Sequence, residues 1–230
     1  KSNILFKYLI SIFLISFISL LLIAQPDIGQ TLLVIFCWAV LIFTSGINIY
    51  ILLAIFIAGA SLLAYLIIFV PKFDYIQGRI FSFFNRETGT HNFQSDKAIE
   101  SITSGGFFGK GIGEGVLKNR VPEAHTDYII SVISEEFGVV AIMLILLLFL
   151  ILIYMVFKKI SFETNDKVKL ILIGSISLIL MQATIHVGVN IRLFPTTGMT
   201  LPFLSYGGSS IISTSILGGI ILNLTKRKIT

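Results

Sequence analysis

The sequence predicts an all-α fold, a polytopic bundle of transmembrane helices. Three observations predict it. Hydrophobic residues make up 55% of the chain and charged residues only 13%, against about 25% charge in a soluble domain. The mean hydropathy is +0.95, too apolar for a surface that meets water all round. The charges are also clustered, and the runs between clusters approach the ~20 apolar residues that a bilayer requires.

Those runs give about six spans, roughly Tyr8–Ala24, Ile28–Ser45, Ile49–Val70, Tyr128–Phe157, Val168–Val187 and Leu201–Leu224. Lys1 to Ala24 mimics a signal peptide. Its apolar run is long for a signal core and more spans follow, so it reads as a helix that stays in the membrane. The fourth span is longer than a bilayer needs, which puts its first turns at the interface. Lys1 and Lys7, then Lys158, Lys159, Lys167 and Lys169, then Lys226, Arg227 and Lys228 all fall on one side of a six-span chain. The positive-inside rule makes that side cytoplasmic, with both ends on it. The formal net charge of +5 is accounted for by these span-end clusters and implies no nucleic-acid partner. Cys37 is the only cysteine, so there is no intrachain disulfide and no cysteine metal cluster.

Residues 1–230 thus read as one transmembrane domain, with residues 71–126 as an extracytoplasmic loop. At roughly 55 residues the loop far exceeds the usual ~4–6-residue connection. It is rich in aromatic residues and glycine, which predicts that it folds against the membrane.

Chemistry concentrates where this loop enters the fourth span, at Pro122-Glu123-Ala124-His125-Thr126-Asp127. A carboxylate there is half-shielded and can meet a substrate at the interface. An Asp at a helix start also has a plainer reading, as a cap that favours the helix dipole. Further along that helix, Ser131 and Ser134 share the face of Asp127. Glu135 and Glu136 lie in the apolar stretch and must turn inward, since a charge facing lipid costs ~2.5 kcal/mol or more. Gln182, His186 and Asn190 recur every four residues on the fifth span, a polar stripe that lines either a cavity or an interhelical seam. The segment Gly105-Gly106-Phe107-Phe108-Gly109-Lys110-Gly111-Ile112-Gly113-Glu114-Gly115 matches neither phosphate-loop pattern. It predicts close backbone packing, or a cradle for a lipid pyrophosphate, and no nucleotide.

The motifs together resemble the SEDS proteins (shape, elongation, division and sporulation). PEAHTD at Pro122–Asp127 followed by Glu135-Glu136, PTTGMTLPFLSYGGSS at Pro195–Ser210, Gln25-Pro26-Asp27-Ile28-Gly29, and Gln94-Ser95 with Gly105-Gly106 and Gly109-Lys110-Gly111 carry the resemblance over the whole chain. PEAHTD and GMTLPFLSYGGSS look closer to the division branch than to the elongation branch. The resemblance implies a peptidoglycan glycosyltransferase that polymerises lipid II, built on ten spans, of which this chain would hold spans five to ten. It implies Asp127 as the catalytic carboxylate, acting as general base or as ligand of a divalent cation, Mg or Mn. Lys110, Lys118 and Arg120 would hold diphosphate charge, with His125, Gln182 and His186 also toward the substrate. The expected partners are lipid II, a class B penicillin-binding protein transpeptidase, other divisome membrane proteins and membrane lipid, in the bacterial inner membrane.

Two positions depart from the family pattern. Thr197 stands where a Lys is common, and Arg192 where a small residue is expected, so Arg192 is expected to supply the cavity charge that Thr197 does not. Two other functions stay open on the sequence: a lipid II transporter, and a non-catalytic divisome scaffold. The transporter should show paired interrupted spans in two repeats, and no such symmetry is visible.

Overall fold

The computed structural model describes residues 4–84, 90–116 and 121–226. Among them every regular element is a helix. They are α1 (Ile4–Ala24), α2 (Ile28–Thr44), α3 (Ile49–Phe69), a 3₁₀ turn at Pro71–Phe73, α4 (Asp74–Phe84), α5 (Thr90–Gly105), α6 (Ile129–Phe162), α7 (Asp166–Asn190) and α8 (Gly208–Thr225).

Among the described residues, four helices are long and apolar enough to cross a membrane: α3, α6, α7 and α8. Tyr8–Ala24 and Ile28–Thr44 are apolar but shorter. The six apolar runs of the sequence therefore all become helices, with one shift. The last helix starts at Gly208 rather than Leu201, because Leu201–Gly207 forms an irregular segment first. Short polar caps set several starts. Asp27 accepts the Gln30 N–H at 2.9 Å to open α2, Asn48 accepts the Tyr50 N–H to open α3, and Asn165 accepts the Lys167 N–H to open α7. Each satisfies one of the donors that a helix start leaves unpaired.

The helix α7 is the centre of the bundle and packs on α2, α6 and α8. It buries Leu172, Ile176 and Ile179 with Val156 of α6 and Ile221 of α8 at one end. At the other end Ile185 and Val189 join Leu33, Ala98, Val121, Ala124, Tyr128, Val132 and Met199 in a second core. That second core ties α2, α5, α6 and α7 together beneath the loop region. By contrast α3 stands apart, buries only Leu52, and rests mainly on the 3₁₀ turn and α4.

The helix α6 is broken at Gly138, whose φ of 77° and ψ of −178° are open essentially to glycine alone. The glycine-rich loop repairs the break. Lys110 and Gly111 donate their N–H groups to the carbonyls of Glu135 and Glu136, at 2.9 and 3.0 Å. Val139 and Val140 donate to the carbonyls of Gly106 and Phe107, at 3.0 and 3.3 Å. The backbones approach so closely that a Cβ on Gly138 would stand 2.2 Å from the Phe107 oxygen, and one on Gly109 2.2 Å from the Glu136 oxygen. Of the two sequence readings for this segment, the described residues form the close backbone packing.

Candidate functional site

The PEAHTD segment folds as a tight turn hung on one carbonyl. Glu123 takes a left-handed φ of 54°, and its carbonyl accepts the N–H groups of Thr126 and Asp127 at 3.1 and 3.0 Å. The carbonyls of His125, Thr126 and Asp127 are then gripped from outside the segment. Tyr206 N–H donates to the His125 oxygen at 2.9 Å, the Ser205 hydroxyl to the Thr126 oxygen at 2.7 Å, and Asn190 Nδ2 to the Asp127 oxygen at 3.0 Å. The backbone of Asp127 is thereby fixed by α7 and by the segment before α8.

The residue that opens α6 is Tyr128, and it makes no side-chain capping bond. Asp127 is therefore not the cap that position alone suggested. Its carboxylate faces a cavity of about 250 Å³ lined by Arg79, Gln94, Asp127, Tyr128, Val189, Thr196, Gly198 and Met199. Burial holds the Asp127 carboxyl above its ordinary pKa, and the nearby Glu123 charge adds to the rise, while Thr126 and the Arg79 guanidinium oppose it. Burial, with the neighbouring Asp127 charge, also pushes the Tyr128 hydroxyl up, so it stays a neutral O–H group.

The polar stripe on α7 braces the segments behind the cavity. Gln182 Nε2 donates to the Thr200 carbonyl at 3.0 Å, and His186 Nδ1 lies 2.7 Å from the Met199 carbonyl. With Asn190 on Asp127, the stripe is a seam that fixes Met199, Thr200 and the Asp127 turn. Gln182 and His186 are not among the cavity's lining residues. The closeness of Gly29 to Met199 and Thr197, where a Cβ would meet Met199 Cγ at 2.9 Å, seats the same segment against α2.

The cations fall elsewhere than the sequence suggested. Arg192, at a left-handed φ of 60° that suits a glycine, pairs with Asp96 of α5. It ties the end of α7 to the loop helix and does not line the cavity. The cavity guanidinium is that of Arg79 from α4, whose Nη1 also donates to the Thr196 carbonyl at 3.2 Å. The sequence reading missed it, because no local pattern ties α4 to the Asp127 turn. Lys110 pairs with the fully buried Glu135 at 3.2 Å, and Ser101 Oγ and the Val116 N–H bind the same carboxylate. Glu136 accepts from the Gly113 N–H. Both glutamates thus turn inward onto the loop. His125 is exposed beside the turn. Lys118 and Arg120 lie outside the described residues.

Among the described residues, buried side-chain atoms with no hydrogen-bond partner include Tyr128 Oη, His186 Nε2, Asn190 Oδ1, Arg192 Nη2 and Thr197 Oγ1. Of these, only Tyr128 lines the polar cavity, where an unmade bond marks a place for a polar ligand or water.

A second, apolar cavity of about 250 Å³ adjoins the first. Ile23, Ile28, Leu32, Leu63, Leu66 and Ile67 line it from α1, α2 and α3, and Arg79 and Thr196 belong to both. The stand-off of α3 opens this groove.

The family model of the cell cycle proteins FtsW, RodA and SpoVE matches residues 1–229. The chain belongs to that family. Its FtsW relatives include one from Caulobacter vibrioides, 36% identical over 94% of this chain and 55% of its own length, and one from Enterococcus hirae, 32% identical over 97% and 59%. Both carry the name "Probable peptidoglycan glycosyltransferase FtsW". Among solved structures, a chain of a peptidoglycan synthase complex that coordinates polymerization and crosslinking superposes with a TM-score of 0.74 at 27% identity, over 97% of this chain and 63% of that one. An Asp-to-Ala mutant of the Thermus thermophilus rod shape determining protein RodA superposes with a TM-score of 0.64 at 26% identity, over 100% and 60%. The chain spans between half and two thirds of the length of these FtsW and RodA relatives. They place it among multi-pass bacterial membrane proteins.

Proposed function

We propose that this chain carries the catalytic half of a peptidoglycan glycosyltransferase that polymerises lipid II into glycan strands during cell division. The observation that carries the reading is the pair of joined cavities. One is polar and holds a carboxylate of raised pKa opposite an arginine. The other is apolar and shares a wall with it. An amphiphile with a sugar diphosphate head and a prenyl tail is the substrate class that such a pair fits.

In the reaction, a sugar hydroxyl of one lipid II attacks the anomeric carbon of another and undecaprenyl diphosphate leaves. The α-linkage becomes β, so a direct displacement needs no covalent enzyme intermediate. Asp127 takes the proton from the attacking hydroxyl, and its burial makes it a stronger base than an ordinary aspartate. Arg79 faces the diphosphate and offsets its growing charge. Tyr128 donates a neutral O–H. A divalent cation, Mg or Mn, would add charge neutralisation at the leaving group. Asp127 is a single carboxylate, and no group of three His, Cys, Asp or Glu gathers among the described residues. That donor set suits an ion shared with the substrate's own phosphates.

The Asp127 side is the extracytoplasmic side in this reading, with both chain ends cytoplasmic, as the span-end lysines support. The partners are a class B penicillin-binding protein and other divisome membrane proteins. Synthesis of glycan chains from purified lipid II, by the full-length protein with its cognate penicillin-binding protein, tests the reading. Asp127→Ala and Asp127→Asn should each lower polymer formation by about 10²–10⁴-fold while the complex still assembles. Undiminished polymer would remove Asp127 from the chemistry and leave a transporter or scaffold.

A further inference from the structure

The tip of the glycine-rich loop exposes four large apolar side chains. Phe107 is 75% exposed, Phe108 84%, Ile112 78% and Val116 60%. No contact within the described fold accounts for them. We propose that this tip is an interfacial membrane anchor, seated at the boundary of headgroups and acyl chains in the leaflet on the Asp127 side.

Depth is the first argument. The 34 residues of α6 would run about 50 Å at 1.5 Å per residue, well beyond the ~30 Å hydrocarbon core. Counting ~20 residues back from Lys158, the first charge at the far end, reaches Gly138. The loop is spliced onto α6 at Glu135–Val140, and so it lies at that boundary. Continuity is the second argument. Phe137, Val139 and Val140 of α6 are exposed beside the splice and extend the lipid-facing surface directly into the tip.

Polar groups are the third. Backbone can approach hydrocarbon only where its N–H and C=O groups are paired. Here the carbonyls of Gly106 and Phe107 and the N–H groups of Lys110 and Gly111 are all used in the splice. The Lys110 ammonium is paired with Glu135, and the Gly113 N–H with Glu136. Lys110, whose side chain is 38% exposed, and Glu114 are the exposed charges among described residues 105–116, and they set the limit of insertion. The left-handed φ values at Gly106, Gly109, Gly111 and Gly113 hold the shape before lipid is met. A loop so anchored fixes the height of the first segment of α6, and of Asp127, above the bilayer.

The test places a reporter at the tip. In full-length protein carrying Trp38→Phe, with other native tryptophans likewise replaced, Phe108→Trp and, separately, Ile112→Trp are reconstituted in proteoliposomes. Lipids brominated near the headgroup end of the acyl chain should quench emission at least about twofold, with little quenching by aqueous iodide. Quenching by iodide and not by bromolipid would overturn the proposal in favour of a solvated tip. Protection from both would overturn it in favour of a protein that covers the tip.

Discussion

The protonation of Asp127 sets the clearest expectations at the scale of single residues. Its raised pKa means that the base form fills at higher pH than for an ordinary aspartate. The acid limb of kcat/KM should therefore lie above the usual value of about 4. Glu123 contributes to the rise and Arg79 opposes it. Glu123→Gln should move the limb down, and Arg79→Gln should move it up while weakening binding. A pH–rate profile of glycan synthesis for the three proteins checks both signs. The same burial makes the ionised carboxylate a cost to the fold at neutral pH, where folding to the raised pKa works against the charged form. Asp127→Asn should therefore melt at or above the wild-type temperature while losing activity, which thermal unfolding in detergent measures. The sequence singled out Asp127 because its motif is long and ordered, and its side chain lines the cavity. Arg79 was not legible, since nothing local says that α4 folds back over a turn fifty residues later. Arg192 shows the same limit from the other side. Its charge was visible, but Asp96, the group that takes it, lies on another helix.

Among elements, α6 shows what the sequence could and could not announce. Its apolar run reads as a single long span, and only the backbone conformation of Gly138 reveals two segments joined by a borrowed loop. The glycines of that loop were visible, but their use depends on a partner backbone thirty residues away. The splice makes a stability prediction. Gly138→Ala would combine a forbidden φ with a 2.2 Å approach to a backbone oxygen and should cost more than about 3 kcal/mol, read as a large drop in melting temperature. Asn190→Ala should do something different. It frees the Asp127 carbonyl without touching the pocket, so it should lower kcat more than it raises KM.

At the scale of the whole molecule, the helical class and the order of spans were legible because apolar length and charge clusters are local properties. The two joined cavities were not, because the apolar one arises from a helix that fails to pack and the polar one from segments far apart in the chain. The groove beside α3 predicts a dependence on substrate length. Leu63→Trp or Ile76→Trp should raise KM for lipid II with its full prenyl tail. A short-tailed analogue that does not reach the groove should be used as well as before, and comparison of the two substrates on one variant decides it.

Three consecutive carbonyls around Asp127 hang from α7 and from the segment before α8, not from α6. That arrangement works as a lever with its fulcrum off its own helix. A small displacement of α7 would carry Asp127 with it by fractions of an ångström while α6 and its spliced loop stay still. Whatever moves α7 would thus reach Asp127 from a distance, without any contact in the cavity and without competing for what occupies it.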